Sequence, residues 1–441
     1  MLKTFVNAWK LTDLRKKILF TLMIIVIYRI GCALPVPFID VELIKEWFGD
    51  KTDGTMFQYM DILSGEAFSQ ATLFALSVSP YITSSIVIQL LTIAIPALER
   101  LSKQGEEGKK KLTQITRYTT VAIALLTSYG YYVTLNNAGA IKESGVFAAA
   151  VIISCHCAGA ALIMWLAEKI NENGIGNGIS MILFANIIAS LPTMAEDFVK
   201  NVTQDGNTVA SIVIMVLMYA LILAIGVLIV AFVVFMTESE RKIPVQYAKR
   251  VVGRKMYGGQ STHLPIKLNM SGVMPIIFAS SILMLPATLG MFFPPKEGTF
   301  WAGFVNLFST QSAFYIIVEL ILIVAFSYFY LAISFNPVEV ANNLKKNGGF
   351  IPGLRPGKPT SDFIASSLKK ITLIGAFFLA VIAVLPMAVN ALTYAISSGA
   401  ISLGSVAFGG TSMLIVVGVA LETVRDLESQ ITMRHYKGFL G

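Results

Sequence analysis

The sequence predicts an all-α polytopic membrane protein with ten transmembrane helices, and three observations carry that reading. The 441-residue chain is 55% hydrophobic and only 14% charged, whereas a soluble domain carries about 25% charged residues. Stretches free of Asp, Glu, Lys and Arg, such as 67–98, 206–237 and 371–421, exceed the roughly 20 residues a helix needs to cross a hydrocarbon core of about 30 Å. Of the 34 Lys and Arg residues, 28 fall in every second gap between such stretches. Lipid offers the backbone no hydrogen-bond partners, so spans of this kind close their own bonds as helices. The period-2 alternation of membrane strands is absent.

The predicted spans are 18–34, 71–95, 118–136, 147–167, 178–193, 210–236, 271–291, 312–334, 371–389 and 404–424. Basic residues number five in 1–17, six in 96–117, one in 168–177, seven in 237–270, six in 335–370 and three in 425–441. The alternate gaps hold two at most. The bias places both termini in the cytoplasm. No small-residue cleavage site precedes the next element, so the first apolar run reads as a retained helix. The gap 168–177 is so short that helices four and five must form a tight hairpin.

Charge inside the spans is confined to Arg29 and Glu319, apart from Glu422 at the very end of the last. Arg29, near the outer end of helix one, is expected to snorkel to the outer interface. Glu319 reads as a lone carboxylate facing a bundle interior, since a proton relay needs further partners. Helix two interleaves Ser77, Ser79, Thr83, Ser84, Ser85, Gln89 and Thr92 with aliphatics. Singly, such residues often bond their own backbone or pack on a neighbour. Together they suggest a face next to water or to a changing partner. Pro80 in helix two, and Pro275 and Pro286 in helix seven, are expected to bend their helices.

The outer gap 35–70 is too long for a connector and too apolar for a solvated loop. Its second half, 57–70, is a short amphipathic stretch with a central Gly65. Irregular backbone enters a membrane protein only where protein or a water-filled cavity receives it. Two readings stand: a re-entrant segment inserting from outside, or a loop lying on the outer interface.

Catalysis has no visible foothold. There is no Gly-x4-Gly-Lys-Ser/Thr nucleotide loop, no Ser/His/Asp set and no His-Glu-x-x-His. Gly174-Ile-Gly-Asn-Gly178 lacks the preceding strand of a dinucleotide fingerprint. Cys32, Cys155 and Cys157 are too few for a disulfide framework. In the triplet Cys155-His156-Cys157, adjacent helical residues point about 100° apart, which does not gather a metal site. No cofactor, metal or catalytic residue is expected. A secondary transporter would need a charged midplane site that the spans do not supply.

The cytoplasmic gaps 237–270 and 335–370 are patterned. The first carries Arg241, Lys242, Lys249, Arg250, Arg254 and Lys255 among alternating β-branched and aromatic residues, which suits an extended arm or hairpin. The second sets Gly and Pro turns around Arg355. Basic loops can serve topology and anionic lipids at about 1 kcal/mol per charge. Thirty-odd patterned residues suit a docking surface for an acidic or phosphate-rich partner, weakened by salt.

Several segments in this order resemble the SecY family, the central subunit of the bacterial protein-translocation channel. They include Leu63-Ser-Gly-Glu-Ala-Phe-Ser-Gln70, Pro80-Tyr-Ile-Thr-Ser-Ser-Ile-Val-Ile-Gln89, Gly174-Ile-Gly-Asn-Gly-Ile-Ser180, Tyr247-Ala-Lys-Arg250, Gln260-Ser-Thr-His-Leu-Pro265, Asn336-Pro337, Phe350-Ile-Pro-Gly-Leu-Arg-Pro-Gly357 and Phe408-Gly-Gly-Thr-Ser412. The resemblance covers nearly the whole chain. It implies two five-helix halves, 1–195 and 196–425, related as an inverted repeat, with a cytoplasmic tail 426–441. An odd number of spans per half is consistent with that inversion.

The resemblance further implies an aliphatic pore ring of Val78, Ile82, Ile179, Leu183, Ile277 and Ile415. Beneath it the stretch 57–70 would form a re-entrant plug, with Tyr59, Ile62, Leu63, Gly65 and Phe68. Ser84, Ser85 and Gln89 on helix two, with Ser280 and Ser281 on helix seven, would line a lateral gate. Arg241, Lys242, Lys249, Arg250, Arg254, Lys255 and Arg355 would dock a motor or ribosome. The implied partners are the small subunits SecE and SecG, the ATPase SecA, the ribosome through its RNA and proteins, signal peptides and nascent chains, and anionic lipids. The implied location is the bacterial cytoplasmic (inner) membrane. The tail and the third outer loop are shorter than the family pattern, and Val78 stands where the ring carries a longer side chain.

Overall fold

Apolar stretches that cannot leave backbone groups unpaired in lipid fold here into a succession of helices. The computed structural model describes residues 2–51, 56–143, 145–204, 224, 226–247, 250–252, 255–257, 261–270, 272–293, 298–308, 312–396 and 409–437. In chain order come α1 (Leu2–Lys10), α2 (Thr12–Cys32), α3 (Val41–Lys51), α4 (Met56–Ser64), α5 (Ser79–Ala94), α6 (Pro96–Ser102), α7 (Glu106–Asn137), α8 (Val146–Asn173) and α9 (Gly178–Gln204). Then come α10 (Gly226–Glu238), α11 (Met274–Phe292), α12 (Phe300–Leu307), α13 (Ala313–Ser334), α14 (Pro337–Lys346), α15 (Lys358–Ile396) and α16 (Gly409–Lys437).

Each predicted span overlaps a helix over its described residues, while 210–223 and 225 of the sixth, 271 of the seventh and 404–408 of the tenth lie outside them. By length and composition alone, four helices among the described residues can cross a membrane. α5 and α6, bent by 105° at their junction, count as a fifth only if the pair is taken as one broken span.

Two expectations are corrected at the second span. The helix begins at Ser79, and 71–78 form turns in which Ala71 and Ser77 have φ of 45° and 50°. Pro80 therefore opens α5 instead of bending it, and Pro275 opens α11 in the same way. Proline at the first helical positions loses no intrahelical bond, because the N–H there has no partner anyway. Pro286 does lie inside α11. The hairpin expected at 168–177 is present: α8 and α9 pack directly, and a Cβ on Gly178 would come 2.0 Å from the Ala167 carbonyl.

Gly159 on α8 allows an equally close approach, since a Cβ there would sit 2.0 Å from the Leu73 carbonyl oxygen. A backbone oxygen cannot rotate away as a side chain can. Gly159→Val should therefore separate α8 from the 71–78 turns, costing at least the ~1–3 kcal/mol typical of overpacking. Reduced membrane abundance and a lower thermal midpoint in detergent are the expected readouts; parent-like values would refute the packing assignment.

The two long basic gaps depart from helix. β1 (Glu240–Tyr247) pairs antiparallel with β4 (Ser261–Lys267), in register Ile243↔Leu264. The hairpin tip carries β2 (Arg250–Val252) paired with β3 (Lys255–Tyr257). From the second gap, β5 (Gly349–Phe350) adds to the other edge of β1 through Gln246↔Phe350 and Tyr247↔Gly349. Pro244 is tolerated in β1 because β5 does not reach that far along its edge. The inward residues Ile243, Val245 and Ile266 pack on Leu344, Ile351, Ile364 and Leu368. Both basic gaps thus form one body. Asn336 caps α14, its side chain accepting from the Val338 and Glu339 amides, so Asn336-Pro337 is a helix-start signal.

Candidate functional site

The ring positions come from four elements. Val78 immediately precedes α5, and Ile82 sits in its first turn. Ile179 and Leu183 lie four residues apart on α9, hence on one face. Ile277 is in the first turn of α11, and Ile415 lies on α16. Val78, Ile82, Leu183, Ile277 and Ile415 are buried in one apolar cluster, with the half-buried Ile179 packed against it. The fold therefore gathers side chains 337 positions apart, from Val78 to Ile415, into a single apolar cluster.

Ile62, Leu63 and Ala67 enter the same cluster from the re-entrant stretch. After α4, the chain reverses through Gly65 and Glu66, at φ of 65° and 68°. The turn is tied by the Ser69 amide donating to Asp61 Oδ1 at 2.8 Å and the Phe68 amide donating to Ser64 Oγ at 3.0 Å. Phe68 is buried against Tyr131, whose hydroxyl donates to the Phe68 carbonyl at 2.5 Å. Of the two readings left open for 57–70, these contacts place the stretch among helices α7, α9 and α11 and not on an outer surface. Tyr59 lies on α4.

Arg29 does not snorkel outward. Its Nη2 donates to the Ala185 carbonyl at 2.9 Å and the Asn186 carbonyl at 3.4 Å, and its Nη1 to the Gly65 carbonyl at 3.3 Å. Nearby carbonyls turned inward outcompete a distant interface for five N–H donors. Asn186 completes this corner and escaped the sequence reading, which looked for charge and for Ser/Thr runs. Its signal was a lone amide in a span whose other polar residues are Ser180, Ser190 and Thr193.

The polar residues of helices two and seven meet different fates. Ser84 is buried and donates to the Thr116 carbonyl of α7 at 2.9 Å. Gln89 donates to Ser85 Oγ at 3.4 Å, and Ser281 to its own helix at Ile277. Ser280 is buried. α11 packs against both α5 and α7, so the seam beside α11 involves three helices. Glu319 is buried on α13, and its Oε2 has no partner among the described residues. His156 is buried edge-on against Tyr131, 5.1 Å between ring centres. Among the described residues no three or more His, Cys, Asp or Glu side chains gather as metal ligands.

On the basic body, Arg241 and Lys242 are exposed along β1, Lys242 pairing with Glu240 at 3.3 Å. Arg250 and Lys255 lie on β2 and β3 at the hairpin tip, while Lys249 and Arg254 fall outside the described residues. Arg355 is exposed in the turn after β5, its carbonyl accepting from Thr360 Oγ1 at 2.8 Å.

The SecY family model matches residues 72–424. The chain belongs to the SecY family. The protein translocase subunit SecY of Streptomyces galbus is 42% identical over 453 residues, covering all of both chains. That of Mycobacterium tuberculosis (strain ATCC 25618 / H37Rv) is 40% identical over 457 residues, again covering all of both. A solved structure described as that of a protein-conducting channel is similar with a TM-score of 0.62 at 18% identity, over 94% of this chain and 92% of that one. Sec61 in the canine ribosome–channel complex from the endoplasmic reticulum gives 0.59 at 16% identity, over 94% and 92%. These two likenesses concern the fold. SecY membership accounts for a multi-pass chain of this fold.

Proposed function

We propose that this chain forms the pore of a protein-conducting channel in the bacterial cytoplasmic membrane, with both termini cytoplasmic and halves at 1–195 and 196–425 followed by the tail 426–441. Unfolded secretory polypeptides pass through the ring, and apolar segments leave sideways between α5 and α11 into lipid. The observation that carries the reading is the single apolar cluster shared by Val78, Ile82, Leu183, Ile277 and Ile415 with Ile62 and Leu63 of the re-entrant stretch. Apolar walls exclude ions by dewetting and yield around an extended chain because they make no directed bonds with it. Lateral release then follows partition, since an apolar passenger helix gains free energy in lipid and a polar one does not.

The chain itself performs no bond chemistry in this scheme. Energy and delivery come from partners: SecA or the ribosome on the basic body, SecE and SecG within the membrane, and anionic lipids around it. Signal peptides and nascent chains are the cargo. A stalled secretory chain bearing photoreactive side chains should crosslink to Ile82, Leu183 or Ile277. Crosslinks confined to lipid-facing residues would refute the pore. Bridging cysteines introduced on α5 and α11 should further stop apolar passenger segments from integrating; continued integration would remove the gate.

A further inference from the structure

We propose that Asn186 and Arg29 form a polar latch on the re-entrant stretch that sets how apolar a signal segment must be to open the channel. The inference rests on the ring-and-plug reading above. Asn186 is fully buried on α9, three residues beyond the ring residue Leu183. Its Nδ2 lies 2.7 Å from the Leu63 carbonyl, 2.9 Å from the Tyr28 hydroxyl and 3.2 Å from Ser77 Oγ. A backbone carbonyl only accepts, so the amide nitrogen and not the oxygen must face Leu63. The Ser77 hydroxyl donates to the same carbonyl at 3.2 Å.

Two residues on, the Gly65 carbonyl accepts from Arg29 Nη1, whose other nitrogen grips the carbonyls of Ala185 and Asn186. Leu63 and Gly65 flank the end of α4, where the last carbonyls lack intrahelical donors. Donors from α2, α9 and the turn before α5 thus converge on one short piece of plug backbone. Gly65 is needed twice over: its φ is 65°, and a Cβ there would come 2.8 Å from the Arg29 guanidinium.

The latch is also incomplete. Asn186 Oδ1 is buried without a partner among the described residues. A buried orphan acceptor weakens the closed arrangement, and displacing the stretch exposes that oxygen to new donors. Held by directed donors yet offset by one orphan, the plug is poised to yield to a sufficiently apolar signal segment. A latch made of plain hydrophobic packing would lack this directional threshold.

The test measures export of a secreted passenger whose signal segment has a shortened apolar core, relative to one with an intact signal. The channel is assembled with its partner subunits in bacterial membranes. Losing one hydrogen bond corresponds to roughly a fivefold change, so Asn186→Ala should raise relative export of the weakened passenger about fivefold. Tyr28→Phe, which keeps the ring stacked on Phe74 at 5.3 Å, should raise it about twofold, as loss of a single shared acceptor implies. Deleting 57–70 sets the ceiling. A rise with the deletion but none with Asn186→Ala overturns the latch and leaves the plug standing. No rise with either overturns the plug reading and the latch together. Should Asn186→Ala fail to reach the membrane, Tyr28→Phe decides: parent-like export overturns the proposal.

Discussion

Membranes carrying Ile82→Ser, Leu183→Ser and Ile277→Ser together should leak ions on the order of a hundredfold faster than parent membranes. Each change removes a side chain whose burial is worth about 1.5–3 kcal/mol and puts a hydroxyl in its place. Two such contributions off a dewetting barrier already amount to roughly a hundredfold in rate, at about 1.4 kcal/mol per factor of ten. The readout separates two accounts of the same cluster. If these residues were ordinary core, three large-to-small changes would cost about 2–5 kcal/mol each, and the chain would vanish from the membrane. If they line a constriction that opens, the chain should remain and leak. Single Ile82→Ser gives the milder arm, and a tight membrane with normal abundance would count against the ring.

Arg355→Glu should cut SecA-driven export by at least about thirtyfold while leaving this chain's membrane abundance at the parent level. Arg355 is exposed, and its backbone carbonyl accepts from Thr360 Oγ1, a bond the substitution preserves. The fold should therefore not register the change. A partner presenting acidic or phosphate groups would meet repulsion where it met attraction, a loss of about 2–5 kcal/mol for a well-placed charge pair. Export by the parent should also weaken with salt, since surface charges lose reach as the Debye length falls to about 8 Å at 0.15 M. Unchanged export in Arg355→Glu would remove the docking role.

Much of this architecture is legible along the chain because lipid acts on it locally. Each stretch of about 20 uncharged residues must satisfy its own backbone, so spans such as 147–167 appear as helices where expected. Where the local rule met irregular backbone it failed: residues 71–78 are as apolar as a helix yet form turns. Pro80 resists the interior of a helix, and Ser77 bonds to the distant Leu63 carbonyl. Arg29 was seen but misdirected, because its partners are backbone carbonyls of Gly65, Ala185 and Asn186, which carry no signature in composition. Ser84 likewise finds its acceptor on α7, 32 positions away.

What the sequence determined alone was the membrane class, the helical character of the apolar stretches, and the gaps in which positive charge accumulates. Each is a sum over neighbouring residues. Only the tertiary structure decided which of many equivalent aliphatics share the central cluster, that 57–70 seats against them, and that two basic gaps share one sheet through Gln246↔Phe350. Apolar side chains carry no direction, and strand pairing across about a hundred residues depends on where the intervening helices place the ends. Such choices are made by packing, and packing is not additive along a chain.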